Sequence, residues 1–109
     1  MDPALLTAEE MLALYERRRL DPVEVLQAVV ERIARLNPAL NAFACMNPKA
    51  LEAAGESAMR WRAGRPIGAL DGVPLTVKDL VDVAGFPTRR GSRTTDPAPA
   101  ADEIGRAHV

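Results

Sequence analysis

The sequence predicts an α/β layer fold that its 109 residues do not complete. Three helix-start signals, at Thr7, Asp21 and Asn47, each place a polar cap ahead of an apolar pattern of helical period. A β-branched run follows from Val73 to Val83, bracketed by turn residues. Helices succeeded by strands with extended connections belong to α/β layers. The third observation is an imbalance. Two strand segments cannot make a stable sheet alone, and the helices offer more apolar face than two strands can cover. The chain reads as the first part of a larger domain.

Each element has a local cause. Thr7 and Glu10 make a capping box for the first helix, whose apolar face is Met11, Leu12, Leu14 and Tyr15. Arg17-Arg18-Arg19 are expected in its last turn, where cations complement the helix dipole. Asp21 caps the second helix, Pro22 suits its first position, and Glu24 sits at the capping-box site. Leu26, Val29, Val30, Ile33 and Leu36 then recur at helical spacing until Asn37-Pro38, the expected stop. These two helices should form a tight hairpin around a common apolar seam.

Leu40 to Met46, with Phe43 and Cys45, is compatible with a short strand. Asn47-Pro48 opens a third helix that runs to about Arg62, and Gly64 ends it. Its buried face is small: Leu51, Ala54, Ala58 and Trp61. A turn-rich connection from Arg65 to Gly72 leads into the Val73–Val83 strand, which breaks near Asp79. Gly85-Phe86-Pro87 then turns into Thr88–Ser92.

Composition excludes several function classes. Hydrophobic content of 48% and charged content of 27% suit a soluble globular protein. A net charge of −1 gives no electrostatic footprint for nucleic acid or an anionic membrane. Cys45 is the single cysteine, so no internal disulfide forms, which suits a cytoplasmic protein. No apolar run approaches membrane-spanning length, and Met1-Asp2-Pro3 lacks the regions of a signal peptide. No cluster has metal-ligand spacing and no glycine loop could cradle phosphate, so no cofactor is expected.

The last six residues, Ile104-Gly-Arg-Ala-His-Val109, are read as a non-native tail on residues 1–103. As codons ATC-GGA-AGA-GCA-CAC-GTC they spell the start of a widely used sequencing adapter, whose next triplet in frame is a stop. The alternative is a genuine short C-terminus. His108, the only histidine, falls inside this tail and is not recruited as a base, a ligand or a triad member.

Lys78 is the candidate catalytic residue. It is one of only two lysines among fourteen basic residues, and it sits inside an apolar β-branched run. Burial desolvates an amine, and desolvation turns a lysine into a base useful near neutrality. Pattern alone favours the bland alternative, a snorkelling lysine on an edge strand.

Two stretches shift that balance. Leu70-Asp-Gly-Val-Pro-Leu-Thr-Val-Lys-Asp79 and Gly85-Phe-Pro-Thr-Arg-Arg-Gly-Ser92 closely resemble the opening motif of the amidase signature family. The resemblance extends loosely over most of Ala4 to Asp102. It implies a single α/β domain with a large mixed sheet between helical layers. It also implies a hydrolase or transferase of small-molecule amides that uses two serines and a lysine. Of these three residues only the lysine lies in the region covered, and it maps to Lys78. Asp79 would face away from the amine, because adjacent strand side chains point to opposite faces.

Other residues attract plainer readings. Ser92 is a turn or capping serine, Cys45 a buried structural thiol, and Arg89-Arg90 a solvated pair. Asp71-Gly72 and Gly85 shape the backbone at the two ends of the strand.

The resemblance leaves three functions open. The first is the N-terminal part of a serine-dependent amidase, with a homodimer of the full-length protein as an open alternative to a monomer. The second is the A subunit of a glutamyl-tRNA amidotransferase; such subunits typically resemble Lys-Asp-Asn, whereas this chain has Lys78-Asp79-Leu80. The third is a non-catalytic interaction module built on the Thr7–Leu36 helices. Under either catalytic reading the chain by itself is expected to be inactive.

Overall fold

Caps set the helices. The computed structural model describes residues 2–78 and 84–87. They hold a single 3-10 turn at Pro3–Leu5 and three helices, α1 (Ala8–Glu16), α2 (Pro22–Leu40) and α3 (Ala50–Arg62). Thr7 Oγ1 accepts from the Glu10 N–H at 3.1 Å, and the Glu10 carboxylate accepts from the Thr7 N–H at 2.9 Å. Asp21 Oδ1 accepts from the Glu24 N–H at 2.9 Å, and Pro22 takes the first position of α2. The Thr7 box is as expected, and on α2 the Asp21 cap forms without a return bond from the Glu24 side chain.

Helix ends depart from expectation for identifiable reasons. α1 stops at Glu16, leaving the three arginines beyond its last turn. Arg18 takes a left-handed φ of 59°, and its guanidinium donates to the Arg62 carbonyl at 3.1 Å. That cation complements the C-terminus of α3 instead of its own helix. α2 runs past Pro38 to Leu40. Asn37 sustains this ending: its Oδ1 accepts from the Phe43 N–H at 2.9 Å and its Nδ2 donates to the Phe43 carbonyl at 3.1 Å. Asn41 then closes the helix in the left-handed region, at φ 49°. α3 begins three residues after Asn47. The Asn47 side chain accepts from the Lys49 N–H at 2.9 Å, making a turn ahead of the helix rather than a cap on it.

The α/β expectation, with its mixed sheet, is overturned. Among the described residues there is no β-strand or sheet; the architecture is helical. Leu40 belongs to α2, and residues 41–47 form an irregular connection. Residues 73–78 lack regular structure, and 79–83 lie outside the described residues. A strand needs a neighbour to take its N–H and C=O groups. At Phe43 the Asn37 side chain takes both instead.

The chain divides between Pro74 and Leu75 into two compact units. In the first, Met11 and Tyr15 of α1, Leu20 and Val25 form the buried core, with Leu6, Val29, Trp61 and Val73 packed around it. The expected α1–α2 hairpin is not the chief pairing: α2 packs chiefly on α3 and on the 3-10 turn, while α1 and α2 share an apolar seam through Met11, Tyr15, Val25 and Val29. α3 buries Ser57 and Ala58, while Leu51 is exposed. Along α2 the predicted seam is only partly covered. Val30 and Leu36 are exposed, and an open groove of about 240 Å³ is lined by Val29, Ile33, Leu36, Leu40 and Phe43. No helix among the described residues is long and apolar enough to cross a membrane.

Candidate functional site

Asp71, read from the sequence as a backbone-shaping residue, is the most deeply buried charge among the described residues. Its accessible surface is zero. A buried carboxylate is tolerated only when its lone pairs are occupied and its charge is matched. Here each oxygen has two donors. Oδ1 accepts from Ser57 Oγ at 2.7 Å and Arg60 Nη2 at 2.6 Å, and Oδ2 accepts from Arg60 Nε at 2.8 Å and the Ile67 N–H at 3.1 Å. The Arg60 fork is bidentate, the strongest geometry available to such a pair. Arg60, then Ser57 and the Ile67 amide, hold the carboxyl well down, to about 2, against a burial that pushes the other way. A carboxylate so saturated is a clamp, not a proton acceptor.

The backbone at this turn is held as firmly. Trp61 Nε1 donates to the Asp71 carbonyl at 2.9 Å, and Tyr15 Oη donates to the Gly72 carbonyl at 2.8 Å. Burial, with the Asp21 charge added, pushes the Tyr15 phenol above its ordinary range, so it stays a donor. The two rings lie 5.6 Å apart, tilted by 51°. Gly72 sits at φ 86°, and a Cβ there would fall 2.5 Å from Pro22 Cγ and 2.7 Å from Ser57 Oγ. Only glycine satisfies both constraints. The Tyr15, Ser57, Arg60 and Trp61 partnership was not foreseen from the sequence. Its one local signal is that Ser57 and Arg60, three apart, share a face of α3.

The other candidates are quickly placed. Lys78 belongs to the second unit and is exposed, in a stretch without regular structure; the desolvated strand setting is not found among the described residues. Cys45 is exposed rather than buried, its thiol 3.7 Å from the Met46 carbonyl. Gly85 takes φ 85°, in keeping with a backbone-shaping role. Asp79, Arg89, Arg90, Ser92 and His108 lie outside the described residues, as does the 104–109 tail. Among the described residues no three His, Cys, Asp or Glu side chains cluster as metal ligands.

Similarity to known proteins bears on which chemistry this frame serves. The family model described as Amidase matches residues 24–104. An acylamidase from Rhodococcus erythropolis is 36% identical over 91% of the chain, which spans 20% of that enzyme. The A subunit of the mitochondrial glutamyl-tRNA(Gln) amidotransferase of Ixodes scapularis is 38% identical over 81% of the chain, which spans 17% of that protein. The crystal structure of the peptide amidase from Stenotrophomonas maltophilia superposes with a TM-score of 0.84 at 33% identity, over 94% of this chain and 22% of that one. The chain thus spans about a fifth of the length of these relatives. It belongs to the amidase signature family of hydrolases.

Proposed function

We propose that this chain is the N-terminal part of a serine-dependent amidase that hydrolyses a small-molecule carboxamide to acid and ammonia or amine, with Lys78 as its base. The observation that carries this reading is the family match over residues 24–104, which includes the Val77-Lys78-Asp79 motif. A serine hydroxyl is a weak nucleophile and needs a base within hydrogen-bond reach. Neutral Lys78 would take that proton through a bridging serine and return it to the departing amine. Both serines, and the donors for the tetrahedral oxyanion, would lie in sequence beyond these residues. Without those serines and oxyanion donors the 109-residue chain is expected to show no turnover by itself.

The test is ammonia release from simple carboxamides, by the chain alone and by the protein encoded when the source DNA is read past the Asp102 codon. Turnover by the longer protein that disappears in Lys78→Ala is the expected result. Turnover by the 109-residue chain, or an active Lys78→Ala longer protein, would end this reading. The same DNA tests the proposal that 104–109 are not native, since a native stop after Val109 contradicts it.

A glutamyl-tRNA amidotransferase A subunit is the second reading, and the comparable identity to such subunits favours it. Leu80 after Lys78-Asp79 argues for a general amidase. Hydrolysis of a simple carboxamide without partner subunits separates the two.

A further inference from the structure

The Asp71 turn is elaborate for a connection between a helix and an irregular segment. Its side chain is bound to α3 through Ser57 and Arg60, and the Ile67 N–H ties the start of the turn to the same carboxylate. Two further bonds act on main-chain carbonyls at the point of exit, Trp61 on Asp71 and Tyr15 on Gly72. Pro22 fills the space beside Gly72. All three helices therefore fix the last two residues before Val73.

The segment leaving this turn is stiff. Val73 precedes a proline and is kept out of the helical region. Pro74 has its φ locked, and Thr76 and Val77 are β-branched. Lys78 is the next residue. Only the residues 73–77, four of them with restricted torsions, separate the anchored Gly72 from Lys78 along the chain, and a base misplaced by about 1 Å costs on the order of 100-fold in rate.

We infer that Asp71 is a positioning residue for Lys78: its carboxylate, held by Arg60 and Ser57, fixes the turn from which the lysine-bearing segment departs. This inference rests on the reading of Lys78 as the base. It adds a specific claim, that the Asp71 clamp governs turnover and not stability alone.

The experiment compares Asp71→Asn, Tyr15→Phe, Ile33→Ala and Lys78→Ala in the longer protein, measuring kcat, KM and thermal midpoint against pH with a simple carboxamide. Asp71→Asn keeps the shape and removes the charge that holds the Arg60 fork. Tyr15→Phe removes only the hydroxyl on the Gly72 carbonyl. Ile33→Ala alters the groove at the far part of α2 and controls for general destabilisation.

Expected are a fall in kcat of tenfold or more for Asp71→Asn, with KM within twofold, and a smaller fall for Tyr15→Phe. Both should shift the basic-group limb of the parent's kcat–pH profile, Lys78→Ala should be inactive, and Ile33→Ala should leave kcat and the limb in place. If Lys78→Ala is inactive while Tyr15→Phe and a folded Asp71→Asn match the parent in kcat and limb, the positioning role is overturned and the base assignment stands. If Asp71→Asn does not fold, Tyr15→Phe decides: a normal kcat and limb overturn the role. If Lys78→Ala remains active, the base assignment falls and takes the positioning role with it.

Discussion

Asp71 and Lys78 stand seven residues apart in one motif, yet their surroundings are opposite. The carboxylate has no exposed surface and four donors. The ammonium is exposed, in a stretch without regular structure. One charge is fully matched by groups within the first unit; the other has no comparable enclosure among the described residues. The contrast teaches that a family motif can be continuous in sequence while its halves depend on different amounts of protein. The Asp71 half is fully partnered within the first unit, and the Lys78 half is exposed as far as it is described.

The sharpest way to break this contrast is Asp71→Ala in the 109-residue chain. It strips the partner from Arg60 and leaves Ser57 and the Ile67 N–H without an acceptor, which should cost about 3 kcal/mol; Arg60 is partly exposed and can rehydrate. Urea unfolding followed by helical circular dichroism measures it, and an unchanged midpoint would show that the clamp is not structural. Gly72→Ala should cost about 2 kcal/mol, from the left-handed φ and the contact with Pro22 and Ser57. A thermal melt checks it, and a neutral effect would mean that Pro22 and the turn yield easily.

Acid sharpens the comparison further. The Asp71 carboxyl is held at about 2 when folded, against an ordinary value of 3.8. Its contribution is therefore complete above the unfolded value and disappears as the pH falls through the window from about 4 to 2. The loss amounts to about 2 kcal/mol. Asp71→Asn should flatten that part of the stability-against-pH curve. A variant curve parallel to the parent's would assign the acid loss to other carboxylates. The smallest effect belongs to the other side of the contrast: Lys78→Ala in the 109-residue chain should stay within about 0.5 kcal/mol of the parent. A larger loss in the same melt would reveal a partner for the lysine.

How much the sequence made legible depends on the range of the forces involved. Caps act over three residues, and Thr7, Glu10, Asp21 and Pro22 took the expected places, with Glu24 joining only through its N–H. The ends failed where a side chain answered to something more distant, as Arg18 does to Arg62 and Asn37 to Phe43. Among the described residues the strands failed because pairing needs a neighbour, and neither β-branched content nor turn residues supply one. Asp71-Gly72 was legible as a backbone-shaping pair from its turn chemistry. Its partners were not, since Tyr15 lies 57 residues away from Gly72 along the chain. The Leu26–Leu36 stripe was correctly apolar, but its exposure along the groove shows that periodicity names a face without naming what covers it.

The clasp at Asn37 carries one more implication, for chemical ageing. An asparagine deamidates when the following residue's main-chain nitrogen attacks the side-chain amide and closes a five-membered imide. Residue 38 is proline, whose ring nitrogen bears no hydrogen, so that ring closure is blocked. Conversion of Asn37 to aspartate would turn the Nδ2 donor into an acceptor facing the Phe43 carbonyl and open the clasp. The proline that sits awkwardly inside α2 thereby preserves, over the lifetime of the molecule, the amide that lets the helix end as it does.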